Sequence, residues 1–187
     1  MLFRSLDKHF KQTHAVRDLS FEIEPGRVTG FLGPNGSGKS TTMRLMLGLD
    51  VGKGKTLFDG QELKSHPEIT RVVGAHLDAK FFHPKRSAYA HLRMLGAEAG
   101  VTKSRVSEVL ELVGLGDVQK KKPGGFSLGM GQRLGLAGAI LADPKVLLLD
   151  EPANGLDPQS IQWMRDFLVY YAGLGRTVFV SSHLLTE

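Results

Sequence analysis

The stretch Gly33-Pro34-Asn35-Gly36-Ser37-Gly38-Lys39-Ser40 constrains this chain more than any other. It satisfies G-x-x-x-x-G-K-[ST], in which a glycine-rich loop joins a strand to a helix and cradles phosphate. The flanks agree with that geometry. Arg27–Leu32 reads as a buried strand entering the loop, and Thr41–Leu47 reads as the helix leaving it. Glycines at 33, 36 and 38 let successive backbone N–H groups converge on one anion, with the helix dipole behind them. Lys39 adds a point charge suited to β- and γ-phosphates, and the Ser40 hydroxyl is placed to ligate Mg²⁺. The residues from Gly33 to Ser40, with Thr41 following, therefore imply a nucleoside-triphosphate site.

The rest of the chain alternates strands and helices. Leu2 to Phe10 opens it, and the segment after it sets Leu19, Phe21 and Ile23 against Ser20, Glu22 and Glu24, the alternation of a half-buried strand. Glu24-Pro25-Gly26 turns into the strand that feeds the loop. Lys55–Phe58 and Arg71–Ala75 are further strand candidates. The middle changes character: Ser87 to Gly100 and Thr102 to Val113 read as helices, the second capped by Thr102 or Ser104 and apolar along Val106, Val109, Leu110 and Val113. A glycine- and alanine-rich helix is expected from Gly129 to Leu141. Val146-Leu147-Leu148-Leu149-Asp150 is too short for a helix and apolar throughout, as a central parallel strand is. Asp157-Pro158 supplies a cap and a first-turn proline for a helix burying Ile161, Met164, Leu168 and Tyr171, with Trp163 off that stripe. Thr177–Ser181 is a second buried strand, and Ser182–Glu187 resembles the first turn of another helix. Helices alternating with apolar strands indicate an α/β parallel sheet, here with a β-rich N-terminal layer.

Composition bounds the function. With 187 residues, 41% of them hydrophobic and 23% charged, the chain is long enough for one domain with a real core. The absence of cysteine excludes disulfides, thiolate zinc sites and cysteine nucleophiles. No segment approaches the ~20 apolar residues that span a bilayer, and Met1–Asp7 lacks the apolar run of a signal peptide. The net charge of +5 is mild. Its sharpest cluster, Lys120-Lys121-Lys122, reads first as a solvated loop, with a nucleic-acid or anionic-lipid contact as the alternative. Phe81-Phe82-His83-Pro84 leaves two readings open: rings in the core, or an exposed edge for a partner.

A second chemical site follows the apolar run. A carboxylate at the C-terminal tip of a parallel strand faces the crevice where open α/β sheets bind ligands. Asp150 is placed to hold Mg²⁺, directly or through water, and Glu151 to polarise a water for in-line attack on a γ-phosphate. His183, just past the next strand, can reach the same edge and contact the γ-phosphate.

Read in order, GPNGSGKST, FSLGMGQR, VLLLDEP, NGLD and VSSH resemble the ATP-binding subunit of an ABC transporter across essentially the whole chain. The resemblance implies a single ATP-binding domain over 1–187, with a helical subdomain at approximately 79–141. It implies Phe10 as an aromatic platform for adenine. It implies that Ser127 and Gly129 of the signature sequence contact ATP held by the opposite subunit, and that Asp157 of the Asn154-Gly155-Leu156-Asp157 loop serves communication between the two sites. The fold class implied is a phosphate-loop NTPase with a parallel-sheet core, an antiparallel β layer and a helical subdomain. Two copies, identical or similar, would sandwich two ATP molecules and drive a separately encoded permease at the cytoplasmic face of the membrane. No nucleic-acid partner is expected.

The sequence departs from the family pattern in three places. Leu128 and Met130 replace a glycine and a glutamine of the signature. Asp78 stands where most members carry Gln and where subunits resembling bacitracin and lantibiotic exporters carry Glu. A carboxylate there could reach Mg²⁺, and it points toward export of an antibiotic, peptide or drug; a solvated loop residue is the alternative. The family's domain also continues past its histidine loop, so a chain stopping at Glu187 is expected to leave a sheet edge uncovered and to be less soluble than an extended one. Two other functions remain: a soluble ABC-type ATPase acting on nucleic acid or ribosomes, and an ATP switch that does not hydrolyse.

Overall fold

The computed structural model describes residues 1–78, 82–83 and 85–183. Phe81, Pro84 and the expected turn at 184–187 lie outside the described residues. Among the described residues, the regular structure consists of two sheets and six α-helices, with three short 3-10 turns beside them. The first sheet is antiparallel and is built from β1 (Leu2–Phe10), β2 (Thr13–Glu22), β4 (Lys53–Phe58) and β5 (Gln61–Glu62), in the order β2-β1-β4-β5. The second is parallel and is built from β3 (Val28–Leu32), β6 (Val73–His76), β7 (Val146–Asp150) and β8 (Thr177–Ser182), in the order β3-β8-β7-β6. The helices are α1 (Lys39–Met46), α2 (Ile69–Val72), α3 (Ala88–Leu95), α4 (Lys103–Leu112), α5 (Leu128–Ile140) and α6 (Pro158–Gly173).

The apolar run of β7 is explained by what covers it. Leu147 and Leu149 enter one core, shared with α3 to α6, while Val146 and Leu148 enter another, shared with α1 and the antiparallel sheet. A strand packed on both faces needs apolar residues at successive positions, so periodicity disappears. The second core is bridged by aromatics. Phe21 meets Phe31 at 6.0 Å and Phe179 at 5.8 Å, and Phe3 meets Phe179 edge-on at 6.5 Å, tying the antiparallel layer to the parallel sheet.

Several boundaries differ from expectation for local reasons. Arg71 and Val72 end the short helix α2 instead of opening a strand, and β6 begins at Val73. The first helix of the middle region stops at Leu95, because Gly96 receives the N–H of Val101 and Gly100 turns with φ of 64°. Thr102, rather than Ser104, caps α4 by accepting from Arg105 N at 3.1 Å. On α6, Phe167 joins Met164, Leu168 and Tyr171 in the core, whereas Ile161 is half-buried and Trp163 lies under the Arg133 guanidinium at 3.9 Å. Phe82 packs against the larger core, and Lys120, Lys121 and Lys122 are exposed.

One correction concerns β3. It was expected as a buried strand, yet it forms the edge of the parallel sheet, with Val28 40% and Leu32 49% exposed. Its inner face is covered through Phe31. Its outer face borders an apolar groove of about 300 Å³ lined by Leu32, Val180, Met164 and Leu168.

Candidate functional site

The site begins where β3 ends. Gly33 N donates to Ser182 O at 3.1 Å, fixing the start of the loop to the end of β8. The chain then curls through Gly36 (φ 81°) and Gly38 (φ 91°), a region in which a side chain is strained. At Gly38 a Cβ would also come within 2.2 Å of Ala15 O, so β2 presses directly on the loop. Gly38 caps α1 without any side-chain hydrogen bond, leaving the amides of the first turn directed at the loop's interior.

Lys39 is the first residue of α1 and is only 5% exposed. Its ammonium donates to Gly33 O at 2.6 Å and Pro34 O at 3.2 Å, and pairs with Glu151 Oε1 at 3.1 Å. Pro34, Asn35, Gly36, Ser37 and Ser40 are exposed around it, and Gly33, Gly38 and Thr41 are half-buried. The following Thr42 ties α1 back to the loop through its hydroxyl, which donates to Gly38 O at 2.9 Å.

Asp150 ends β7, and Glu151 follows with φ of 50°, a left-handed turn that swings its carboxylate back over the loop. That carboxylate bridges Lys39 and His183 Nδ1. Burial acts to raise its pKa, but the hydrogen bonds from His183 and then Lys39 outweigh it and hold the group below the usual carboxylate range. Asp150 accepts from the Ser181 hydroxyl, whose oxygen in turn accepts from Glu151 N at 2.9 Å. Ser181 is fully buried and lies opposite Asp150 in the β7–β8 register. It was missed in the sequence, although it stands inside the motif that contributed His183. The signal was available in the parity of β8: pairing the ends of the two apolar runs sets Ser181 beside the strand-tip carboxylate.

Lys39, Glu151, His183 and Asp150 thus converge from the ends of β3, β7 and β8. Asp78 lies two residues beyond β6, whose last residue, His76, is opposite Leu149, so it follows the same end of the sheet. His76 is buried and paired with Gln132 Oε1 at 2.8 Å, linking that strand end to α5. Burial pushes the His76 pKa down, with Gln132 opposing.

Ser127, Gly129 and Asp157 form a second group around two helix starts. Ser127 caps α5, accepting from Met130 N at 3.2 Å. Asp157 caps α6, its two carboxylate oxygens accepting from Ser160 N at 2.9 Å and Ser160 Oγ at 2.8 Å. The caps abut, since a Cβ on Gly129 would lie 2.9 Å from Ser160 Oγ. Phe10 stands apart at the tip of the β1–β2 hairpin, 47% exposed, with the Lys8 ammonium 4.7 Å from its ring centre.

A parallel sheet with a phosphate loop, a strand-tip carboxylate pair and a following histidine, joined to an antiparallel layer, defines an ATP-binding cassette. The family model described as ABC transporter matches residues 16–154, and the chain belongs to that family. Among its relatives, YhcH of Bacillus subtilis, an uncharacterized ABC transporter ATP-binding protein, is 45% identical across 98% of this chain and 62% of its own. The lantibiotic transport ATP-binding protein SrtF of Streptococcus pyogenes is 37% identical across 98% of this chain and 80% of its own. The bacitracin transport ATP-binding protein BcrA of Bacillus licheniformis is 40% identical across 97% and 61%. The chain therefore spans about three fifths of the length of YhcH and BcrA. A solved dimeric bacterial ABC transporter cassette shares the fold, with a TM-score of 0.84 at 22% identity over 99% of this chain and 88% of that one. Among the described residues, no helix is long and apolar enough to cross a membrane.

Proposed function

We propose that this chain binds and hydrolyses ATP as the energy-coupling subunit of an exporter, acting on a separately encoded permease at the cytoplasmic face of the membrane. The observation that carries the reading is the meeting of Lys39, Glu151 and His183 over the loop. In this structure the Lys39 charge is met by Glu151 and two carbonyls. The phosphates of ATP present a stronger counter-charge, and the exposed amides of the loop and α1 add donors to it. As Lys39 turns to the β- and γ-phosphates, Glu151 loses one partner and keeps the other. His183 then orients the freed carboxylate, which polarises a water for attack on the γ-phosphate. The His183 hydrogen bond, which lowers the carboxyl pKa, keeps Glu151 ionised once Lys39 has turned away.

Hydroxyl and carboxylate oxygens suit a hard cation, and Ser181 fixes one oxygen of Asp150 while leaving the other available. Ser40 and Asp150, with Asp78 behind them, would hold Mg²⁺, which when bound neutralises charge on the β- and γ-oxygens. Phe10 offers its exposed face to adenine. Ser127, Gly129 and Asp157 would meet the ATP of a second copy, identical or similar, in a head-to-tail dimer. The relatives named for lantibiotic and bacitracin transport, together with the acidic Asp78, favour an antibiotic, peptide or drug as cargo.

The test is ATP turnover per chain against protein concentration, with Mg²⁺ present. A specific rate that rises and saturates supports two chains completing each site. No turnover at any concentration, with ATP still bound, would overturn hydrolysis by this chain.

A further inference from the structure

The β1–β2 hairpin carries a cluster that the ATP site does not use. Asp7 and His9 lie on β1, and His14 is the cross-strand partner of His9 on β2. The two imidazoles stack with centroids 3.7 Å apart and planes at 19°. Both turn Nε2 toward one carboxylate: His14 Nε2 is 2.7 Å from Asp7 Oδ2, and His9 Nε2 is 3.7 Å from Asp7 Oδ1. One ligand atom from each residue lies within 4.8 Å of the others.

We infer that Asp7, His9 and His14 bind a first-row transition-metal dication of the Zn²⁺ type, independently of ATP. The ligand set decides the class of ion. Two imidazoles and one carboxylate suit Zn²⁺, Co²⁺, Ni²⁺ or Cu²⁺, whereas Mg²⁺ and Ca²⁺ prefer all-oxygen sets. The donors are already gathered, though not yet in the geometry that such an ion demands. Tetrahedral ligands at about 2.0–2.1 Å from zinc stand about 3.3 Å from one another. The two nitrogens now approach different oxygens of Asp7, at 2.7 and 3.7 Å, and the near-parallel rings would have to splay for both lone pairs to converge on one ion.

The charges point the same way. Two stacked imidazolium rings would repel each other, while one dication replaces both protons and satisfies both nitrogens. Side-chain exposures of 56% for His9, 28% for His14 and 22% for Asp7 leave an approach from solvent and a fourth position for water. An ion there ties β1 to β2 at the root of the turn that presents Phe10. It lies one residue from Ala15, whose carbonyl packs against Gly38.

The test uses the intact chain freed of metal and without nucleotide. Zn²⁺ is titrated against a chromophoric chelator, and the histidine ring nitrogens are followed by heteronuclear NMR in the same protein. The expected result is one tight equivalent of Zn²⁺, with the Nε2 resonances of His9 and His14 shifting together. A variant carrying His9→Ala and His14→Ala should bind at least about tenfold more weakly, and His66→Ala should bind as the unaltered chain does. Equal affinity in the double variant, or shifts confined to other histidines such as His183, would overturn the inference. The NMR reading requires no substitution, so it decides the matter even if the double variant misfolds.

Discussion

Replacing Glu151 by Gln should separate the two roles of that carboxylate. In the present structure it is one of three acceptors around a lysine that is 5% exposed. The amide keeps the shape and one acceptor oxygen but removes the charge, so Lys39 keeps Gly33 O and Pro34 O and loses its only anionic partner among the described residues. Breaking a fully buried pair costs about 3–5 kcal/mol, but here two carbonyls remain and the loop opens to water. A loss of about 1–3 kcal/mol follows, close to that of a buried donor deprived of one partner. In a domain of this size each kcal/mol lowers Tm by about 2–4 °C. Nucleotide should reverse the sign. With no carboxylate competing for Lys39, the variant should bind ATP at least as tightly as the unaltered chain, by up to about tenfold, or about 1.4 kcal/mol. Hydrolysis should nevertheless be lost. Melting with and without ATP, an equilibrium titration and a phosphate-release assay read the three effects. An unchanged melting temperature without nucleotide combined with weaker ATP binding would refute the competition between Glu151 and phosphate. Normal turnover would remove Glu151 from the chemistry.

Other perturbations address neighbouring parts. Lys39→Ala should weaken ATP binding by a charge-assisted contact worth about 1.5–3 kcal/mol, measured by titration; unaltered affinity would refute the phosphate-loop assignment. Ser181→Ala should lower turnover more than ATP affinity, because it frees Asp150 and the Glu151 backbone without touching Lys39; a loss confined to affinity would count against that role. Gly74→Ala should destabilise strongly, since the new Cβ would lie 1.8 Å from Ala139 O, a backbone atom of α5 that cannot step aside. Thermal melting reads this directly, and a shift under 2 °C, the lower figure given above for a 1 kcal/mol change, would show that the β6–α5 contact is looser than described. Burial pushes His76 and His91 down, so the unfolded chain takes up protons first as pH falls below about 6.5, and stability is lost on the acid side. Each histidine can contribute at most about 1.4 kcal/mol per pH unit. Melting temperatures from pH 7.5 to 5.5 should fall less steeply in His76→Gln.

The elements that a sequence displays most openly are those buried in one consistent way. The helices α4 and α6 carry their caps at Thr102 and Asp157, with the proline of α6 immediately after, and β7 carries an unbroken apolar run between polar flanks. β3 looks much like β7 in composition, yet one lies at an edge and the other in the middle. Its Val28 and Leu32 border a groove that α6 walls but does not fill, and strand order is a property of pairing that local composition does not carry. Arg71 and Val72 failed as a strand for a related reason. An arginine and a single valine are equally at home at the end of a single helical turn, and the chain enters the sheet where Gly74 can approach α5 closely.

The candidate site was legible to the extent that its residues must meet a ligand. A loop that holds phosphate through its backbone cannot avoid glycines at fixed offsets, and a carboxylate at a strand tip cannot avoid following an apolar run. The residues that hold those groups in place carry no such signature. Ser181 is one serine among several, and it acquires meaning from lying opposite Asp150 across two parallel strands. Glu151 owes its reach to a φ of 50°, a backbone state that its residue type does not announce. The pairing of Lys39 with Glu151 joins residues over a hundred positions apart, and it changes how the loop works. A free lysine would simply attract phosphate, whereas a paired one must exchange a carboxylate for it. On the proposed reading, that exchange frees Glu151 as the γ-phosphate arrives, so binding itself prepares the carboxylate that polarises the attacking water.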